Sequence, residues 1–398
     1  MVYENKKPCR YSLYGFFIYN YYNFIAINYK FNKKDWRHDN KFASTLDKKL
    51  LKGVLVMKEK QSIKELQPYV VSPIVCSVKL DANEGDKDLF KDLIKEFGDE
   101  FYLSTYPDDS YMDLKKAISN YIGCKASNVS VGNGSSELLD LCIKTFVDRD
   151  ELILSLDPTF SIYSIYAKVF DTKYMGVKAD EGFVINVDKV IEAINKNNPK
   201  VTIVCNPNNP TGSMIKKDDV IRIIKSTDNI VIVDEAYMEF SDESVITEIE
   251  NYKNLIVVRT LSKAFSMAGI RTGYLIANEE LVKTVEKVRP PYNLNSISAL
   301  LATKALQQKE KMMKYVEEVK VEREKVYKSL LDMGVEAFPS GTNFIFFYSD
   351  IEDLEEKLIK EDILIKKFGG NLDNYYRVTI GNKKENHAFI ESMKKLIY

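Results

Sequence analysis

From about residue 110 onward, short apolar runs alternate with stretches whose apolar residues recur at helical spacing. The runs fall at 128–131, 152–155, 201–205, 230–233, 255–259 and 272–277. Several are apolar at nearly every position, as strands covered on both faces of a sheet must be. Between two of them, Leu138, Leu139, Leu141, Cys142 and Phe146 predict a helix over 137–146. Helical segments lie between most of the runs, and this order predicts an α/β architecture with a largely parallel sheet.

Near Ser296 the pattern changes. Apolar periodicity predicts one long helix to about Asp332, ended at Gly334, where glycine can take the left-handed cap. A shorter α+β region follows, with strands predicted at 343–348 and 376–380. The chain is therefore read as an N-terminal arm over 57–84, a large domain over 85–294 and a small C-terminal domain over 295–398.

The first 56 residues look foreign to this plan. They hold 13 aromatics and 11 Lys/Arg against 4 Asp/Glu. Lys6, Lys7 and Arg10 precede an uncharged stretch from Tyr11 to Tyr29, the layout of a signal peptide or membrane span. Its asparagines and tyrosines make it too polar, since about 20 strongly apolar residues are needed to span a bilayer. No small-residue cleavage site follows. Met57 opens what reads as a native start, and residues 57–398 are taken as the functional unit.

Composition narrows the chemistry. The 398 residues carry 57 basic and 58 acidic side chains, and 45% are hydrophobic. Such a chain buries a substantial core, and disorder is excluded as its main state. Near-neutrality offers no global attraction to nucleic acid or an anionic membrane. The five cysteines form no CxxC pair and read as reduced thiols of a cytoplasmic protein. With only His38 and His387, a histidine-rich metal centre is out of reach. Lysine, tyrosine, carboxylates or a cofactor must carry the reaction.

Ligands of open parallel sheets sit beyond the carboxyl ends of the strands. After 128–131 comes Gly132-Asn133-Gly134-Ser135-Ser136, whose free amides suit a phosphate; a tight turn with a serine cap explains it equally well. After 201–205 comes Asn206-Pro207-Asn208-Asn209-Pro210-Thr211-Gly212, a rigid turn unusually rich in amide side chains. After 230–233 come Asp234 and Tyr237; the aspartate is either a helix cap or a buried carboxylate in need of a cation. After 255–259 come Ser262 and Lys263, with Arg271 beyond. A phosphate cradle, an amide, a carboxylate with a phenol, and a lysine are together what pyridoxal phosphate needs.

These segments closely resemble the fold-type I pyridoxal-phosphate aminotransferases, and within them the histidinol-phosphate aminotransferases. The resemblance spans nearly all of 57–398, through LDANE (80–84), YPD (106–108), GNGSSE (132–137), DPTFSIY (157–163), NPNNPTG (206–212), DEAYMEF (234–240), RTLSKAFSMAGIRTGY (259–274), PYNLNS (291–296) and YRVTIG (376–381). It implies a large, mostly parallel sheet sandwiched by helices, plus the small domain. It implies pyridoxal 5'-phosphate as cofactor, with Lys263 binding it covalently and shuttling the proton. Asp234 then pairs with the ring nitrogen, Asn209 and Tyr237 hold the phenolic oxygen, and Phe160 stacks on the ring where many relatives have tyrosine. The phosphate falls to Gly134, Ser135, Ser136, Ser262 and Arg271. Tyr106 reaches it from a second subunit, which implies a homodimer with shared sites. On the substrate side, the resemblance implies Asn83, and Arg377 as a bidentate clamp for the α-carboxylate.

One departure stands out. Lys366 occupies the place where the family usually has an arginine for the substrate's phosphate. A lysine binds phosphate as a point charge, or marks a preference for an unphosphorylated substrate such as an aromatic amino acid. The LDANE segment also lacks the proline that often follows it. The resemblance implies amino transfer between L-histidinol phosphate and 2-oxoglutarate. A threonine-phosphate decarboxylase shares the pattern, but PYNLNS and YRVTIG favour the transaminase. A non-catalytic, DNA-bound relative is disfavoured, because the leader has no helix-turn-helix pattern.

Overall fold

The computed structural model describes residues 60–64, 66–68, 72–96 and 103–398. The expectations for 1–56 and for Met57 as a start lie outside the described residues.

After a 3-10 turn (Gln61–Ile63), the first strand is the short β1 (Val78–Lys79). The large sheet then takes β2 (Val129–Asn133), β3 (Leu152–Asp157), β4 (Lys173–Lys178), β5 (Val201–Cys205), β6 (Ile230–Asp234), β7 (Leu255–Thr260) and β8 (Thr272–Ala277). Their order is β2-β8-β7-β6-β5-β3-β4. Strands β3 to β7 pair in parallel, and β8 runs antiparallel to both β7 and β2. Alternate residues feed two cores. Val231, Val233, Leu255, Val257, Tyr274 and Ile276 face one side; Ile232, Ile256, Val258, Leu275 and Ala277 face the other. Burial on both faces, about 1.5–3 kcal/mol per large aliphatic side chain, accounts for the continuous apolar runs.

Apolar runs do not predict β4. It is the edge strand, with alternating exposed and half-buried positions, so its sequence carries lysines and Gly176 rather than a continuous run. The helix expected over 137–146 begins earlier, at Gly134, directly after β2.

The single long helix expected from Ser296 is in fact two, Ser296–Leu306 and Lys309–Asp332. Gln308 leaves the helical region (φ −115, ψ 38), and the two segments bury different neighbours. The first packs on the helix Met112–Ile122 and the second on the C-terminal helix Lys383–Ile397. Glutamines carry no breaker signal, so periodicity runs through the kink. The stop is as expected. Gly334 takes φ +76, with Gly334 N–H donating to Leu331 O and Val335 N–H to Leu330 O, a left-handed cap.

Beyond it, β9 (Glu336–Ala337), β10 (Phe344–Tyr348), β11 (Ile363–Leu364), β12 (Lys366–Lys367) and β13 (Tyr375–Thr379) follow. Four of them form an antiparallel sheet in the order β12-β13-β10-β9, while β11 pairs with β1. The arm before the large sheet is thereby tied to the small one, and Thr379 N–H donates to Leu80 O.

Candidate active site

Strands β5, β6 and β7 are neighbours, and β2 is separated from β7 only by the reversed β8. The segments singled out in the sequence therefore emerge at one end of the sheet.

Asp234 closes β6 and is buried. Its Oδ1 accepts from Ala236 N–H at 3.1 Å, and its Oδ2 accepts from the Tyr163 hydroxyl at 2.7 Å. It caps no helix: the 3-10 turn Met238–Phe240 begins at Tyr237 without a side-chain cap. Burial pushes its carboxyl up to about 6 against the pull of those two donors.

Lys263 lies in the loop after β7. Its Nζ donates to Ala82 O and Asn83 O, both at 3.2 Å, and stands 5.6 Å from the Tyr237 ring centre. Desolvation first, then the Arg377 guanidinium, bring the amine down to about 7. A lysine held this way is not a solvated surface charge.

The arm crosses this site. Asn83 is buried at φ +54; its Nδ2 donates to the Tyr237 hydroxyl at 2.9 Å, and its N–H donates to Thr379 Oγ1 at 3.0 Å. Tyr237, its hydroxyl pushed up to about 12 by burial, stays protonated. Two of the three asparagines of the proline-rich turn are structural. Asn206 exchanges side-chain hydrogen bonds with the Ile215 backbone, and Asn208 bridges Pro158 O, Thr159 and Thr211. Only Asn209 reaches across, its Oδ1 accepting from Arg377 Nη1 at 2.5 Å. Arg377 also donates from Nη2 to Asp81 O at 2.7 Å.

Gly134 opens its helix at φ +80, and a side-chain carbon there would lie 2.6 Å from Arg271 Nη2. Only glycine lets the guanidinium lie so close over the turn. Gly273 does the same on the other side, where an added carbon would fall 2.3 Å from the Ser135 amide nitrogen. Ser135 and Ser136 are in the first turn of the helix; neither caps it. Arg271 Nη1 donates to Ser262 Oγ at 3.3 Å, so hydroxyl, guanidinium and helix amides converge.

Phe160 meets Tyr163 edge-on at 5.8 Å. Tyr106 is 78% exposed and stacked on Tyr292 at 4.4 Å. Lys366 is Arg377's direct cross-strand partner, so the two side chains share one face of the small sheet. Among the described residues Lys366 has no ion-pair partner.

Sequence reasoning missed Tyr163, which reads as one more core aromatic, and Asp81 and Thr379, which lie within motifs but carry no signal of their own.

A low-pKa lysine, a buried carboxylate and a glycine-lined anion cradle define the class: the chain belongs to the class I and II aminotransferase family, whose model it matches over residues 77–393. Within that family it belongs with the histidinol-phosphate aminotransferases. The enzyme of that name from Clostridium novyi is 39% identical over 342 residues, covering 84% of this chain and 96% of that one. The structure of histidinol-phosphate aminotransferase from Clostridium acetobutylicum superposes with a TM-score of 0.73 at 29% identity, covering 80% of this chain and 99% of that one. The Sinorhizobium meliloti enzyme, solved with pyridoxal-5'-phosphate, gives a TM-score of 0.78 at 20% identity, covering 86% and 98%; at that identity it speaks for the fold.

Proposed function

We propose that the protein is a pyridoxal-phosphate-dependent transaminase that moves an amino group reversibly between L-histidinol phosphate and 2-oxoglutarate, giving imidazole-acetol phosphate and L-glutamate, a step of histidine biosynthesis. One observation carries the proposal: the Lys263 amine, brought down to about 7, lies enclosed beside Tyr237 and near the charge of Arg377.

The residues present fit the cofactor. Gly134 and Gly273 leave room where a side chain would block the cradle, and Ser135, Ser136, Ser262 and Arg271 would hold the phosphate. Asp234 would take the ring nitrogen, Asn209 and Tyr237 the phenolic oxygen, and Phe160 a ring face. Bound there, pyridoxal phosphate supplies a reactive carbonyl carbon and an electron-withdrawing ring.

The rest falls to the chain. A neutral Lys263 amine is a nucleophile and a base for the substrate's α-proton, and near pH 7 it also gives that proton back. Asp234, as a carboxylate, stabilises a proton on the ring nitrogen. Arg377 presents a planar fork to a carboxylate, and Lys366 beside it offers a point charge to a phosphate. Asn83 orients the Tyr237 hydroxyl and lines the substrate side.

We infer a homodimer with shared sites from Tyr106, which is exposed and stacked on Tyr292 and so is available to reach a second subunit. Cys76, Cys124, Cys142 and Cys205 are free thiols, which supports a cytoplasmic enzyme; among the described residues no helix is long and apolar enough to cross a membrane.

A second reading, an aromatic amino acid as donor, has one observation in its favour. Phe346, Phe368 and Tyr375 cluster around the Arg377 face, with Phe368 5.8 Å from the guanidinium carbon. A panel of amino donors assayed with 2-oxoglutarate separates the two. Histidinol phosphate should be the preferred donor; preference for phenylalanine or tyrosine overturns the substrate, and no transamination at all overturns the class of reaction.

A further inference from the structure

We infer that Tyr163 is a positioning residue for Asp234: its hydroxyl orients the carboxylate and keeps it ionised for the ring nitrogen. The inference rests on the reading of Asp234 as the partner of that nitrogen.

The geometry comes from two elements. Asp234 ends β6 on the sheet face that also buries Ile232 and Val258, and Tyr163 stands on the helix Ile162–Val169 packed over that face. Tyr163 is fully buried, and its hydroxyl donates to Asp234 Oδ2 at 2.7 Å. The direction of this bond is forced, because an ionised carboxylate only accepts. Burial and the nearby carboxylate push the Tyr163 hydroxyl far above its ordinary range, so it keeps its proton. The second oxygen of Asp234 is held independently by Ala236 N–H at 3.1 Å. Two donors, one on each oxygen, fix the plane of the carboxylate and leave each oxygen a lone pair for a ligand.

The other titratable groups around Asp234 do not replace this bond. Cys205 is its direct partner on β5, and burial pushes that thiol up to about 12, leaving it neutral. Glu235, next along the chain, opposes ionisation of Asp234, and Lys263 favours it. Tyr237 is protonated and donates no hydrogen bond to Asp234. Of the contributions that counter burial, the Tyr163 hydroxyl is the largest. A plain core aromatic would fill the same volume without it.

Tyr163→Phe keeps the ring and removes the donor. Binding of pyridoxal 5'-phosphate to the apo-protein, titrated by absorbance across pH, should weaken about ten-fold or more, the scale of a hydrogen bond to a charged group. The pH above which binding becomes strong should also move upward, because an unaided Asp234 ionises later. Affinity and pH profile equal to the parent's would overturn the inference, as would a loss of the same size at every pH accompanied by a lower melting temperature, which marks a packing role. Asp234→Asn is run alongside. If Asp234→Asn is impaired and Tyr163→Phe is not, only the present inference fails; if Asp234→Asn binds and turns over like the parent, the reading of Asp234 itself fails. In the double variant Tyr163→Phe should cost almost nothing further, since its effect runs through Asp234. Full additivity overturns the inference.

Discussion

Arg377 Nη1 and Asn209 Oδ1 are joined at 2.5 Å although one side chain comes from the small antiparallel sheet and the other from the turn after β5. The proposed carboxylate clamp and the proposed anchor of the cofactor's phenolic oxygen are thus already in contact. A carboxylate held by Arg377 and an oxygen held by Asn209 would therefore be separated by a single protein hydrogen bond.

Lys263→Ala should abolish turnover and leave the fold intact. In the proposed function the lysine is both covalent anchor and proton carrier, and the loss of acid–base catalysis alone is worth on the order of 10²–10⁴-fold. Borohydride should fix the cofactor to residue 263 in the parent, as peptide mapping would show, and not in the variant. An alanine variant with parental kcat would remove Lys263 from the reaction.

The pH profile follows from burial. The amine stands at about 7 against an ordinary 10.5, so the neutral form dominates above neutrality. Capture of pyridoxal 5'-phosphate by the apo-protein should rise through about pH 7 and then level off. Between that value and about 10.4 the unfolded chain binds the extra proton at this lysine. Its contribution therefore makes stability rise with pH across that window and leaves the full penalty below it. A capture rate still climbing near the ordinary lysine value would put the amine in solvent.

Asp234→Asn should retain some cofactor and lose most activity, because an amide cannot balance a protonated ring nitrogen. Asp234 is buried, so the loss should exceed about 3 kcal/mol, the cost of breaking a buried charge pair. Single-turnover rates of the two proteins provide the measurement, and near-equal rates would reduce Asp234 to a structural acceptor for the Ala236 amide and the Tyr163 hydroxyl.

Lys366→Ala should raise KM for histidinol phosphate and leave unphosphorylated amino acids almost unaffected. The expected scale is about 1–3 kcal/mol, the cost of losing a charge-assisted contact. Lys366→Arg should preserve or improve activity through a two-oxygen contact. Lys367 is adjacent on β12, so the double alanine variant should be assayed with the single one. Unchanged discrimination in the double variant would assign the phosphate elsewhere.

Much of the site was legible because its strands are buried on both faces, which leaves continuous apolar runs whose ends can be inspected one by one. What escaped did so for physical reasons. β4 is an edge strand and half-exposed, so it carries no such run. The break at Gln307 and Gln308 uses residues content in a helix. Asn206, Asn208 and Asn209 look alike in sequence, and only the fold separates two loop staples from the one that reaches Arg377. Tyr163 has the composition of core filling, and its hydroxyl matters only because β6 ends beneath it. The roles given to Lys263, Asp234 and Arg377 came from family resemblance, and the geometry now supplies a physical context for each.

The reversal of β8 has a consequence for how such a site can change. Because β8 turns back beside β7, Lys263 and Arg271 belong to one excursion of the chain that leaves and re-enters the sheet at the same end. The spacing between the proposed covalent anchor and the proposed phosphate cation is therefore set within that excursion. Changes elsewhere in the sheet would then reshape the substrate side while the two proposed cofactor ligands keep their separation, leaving substrate preference free to diverge on the same proposed chemistry.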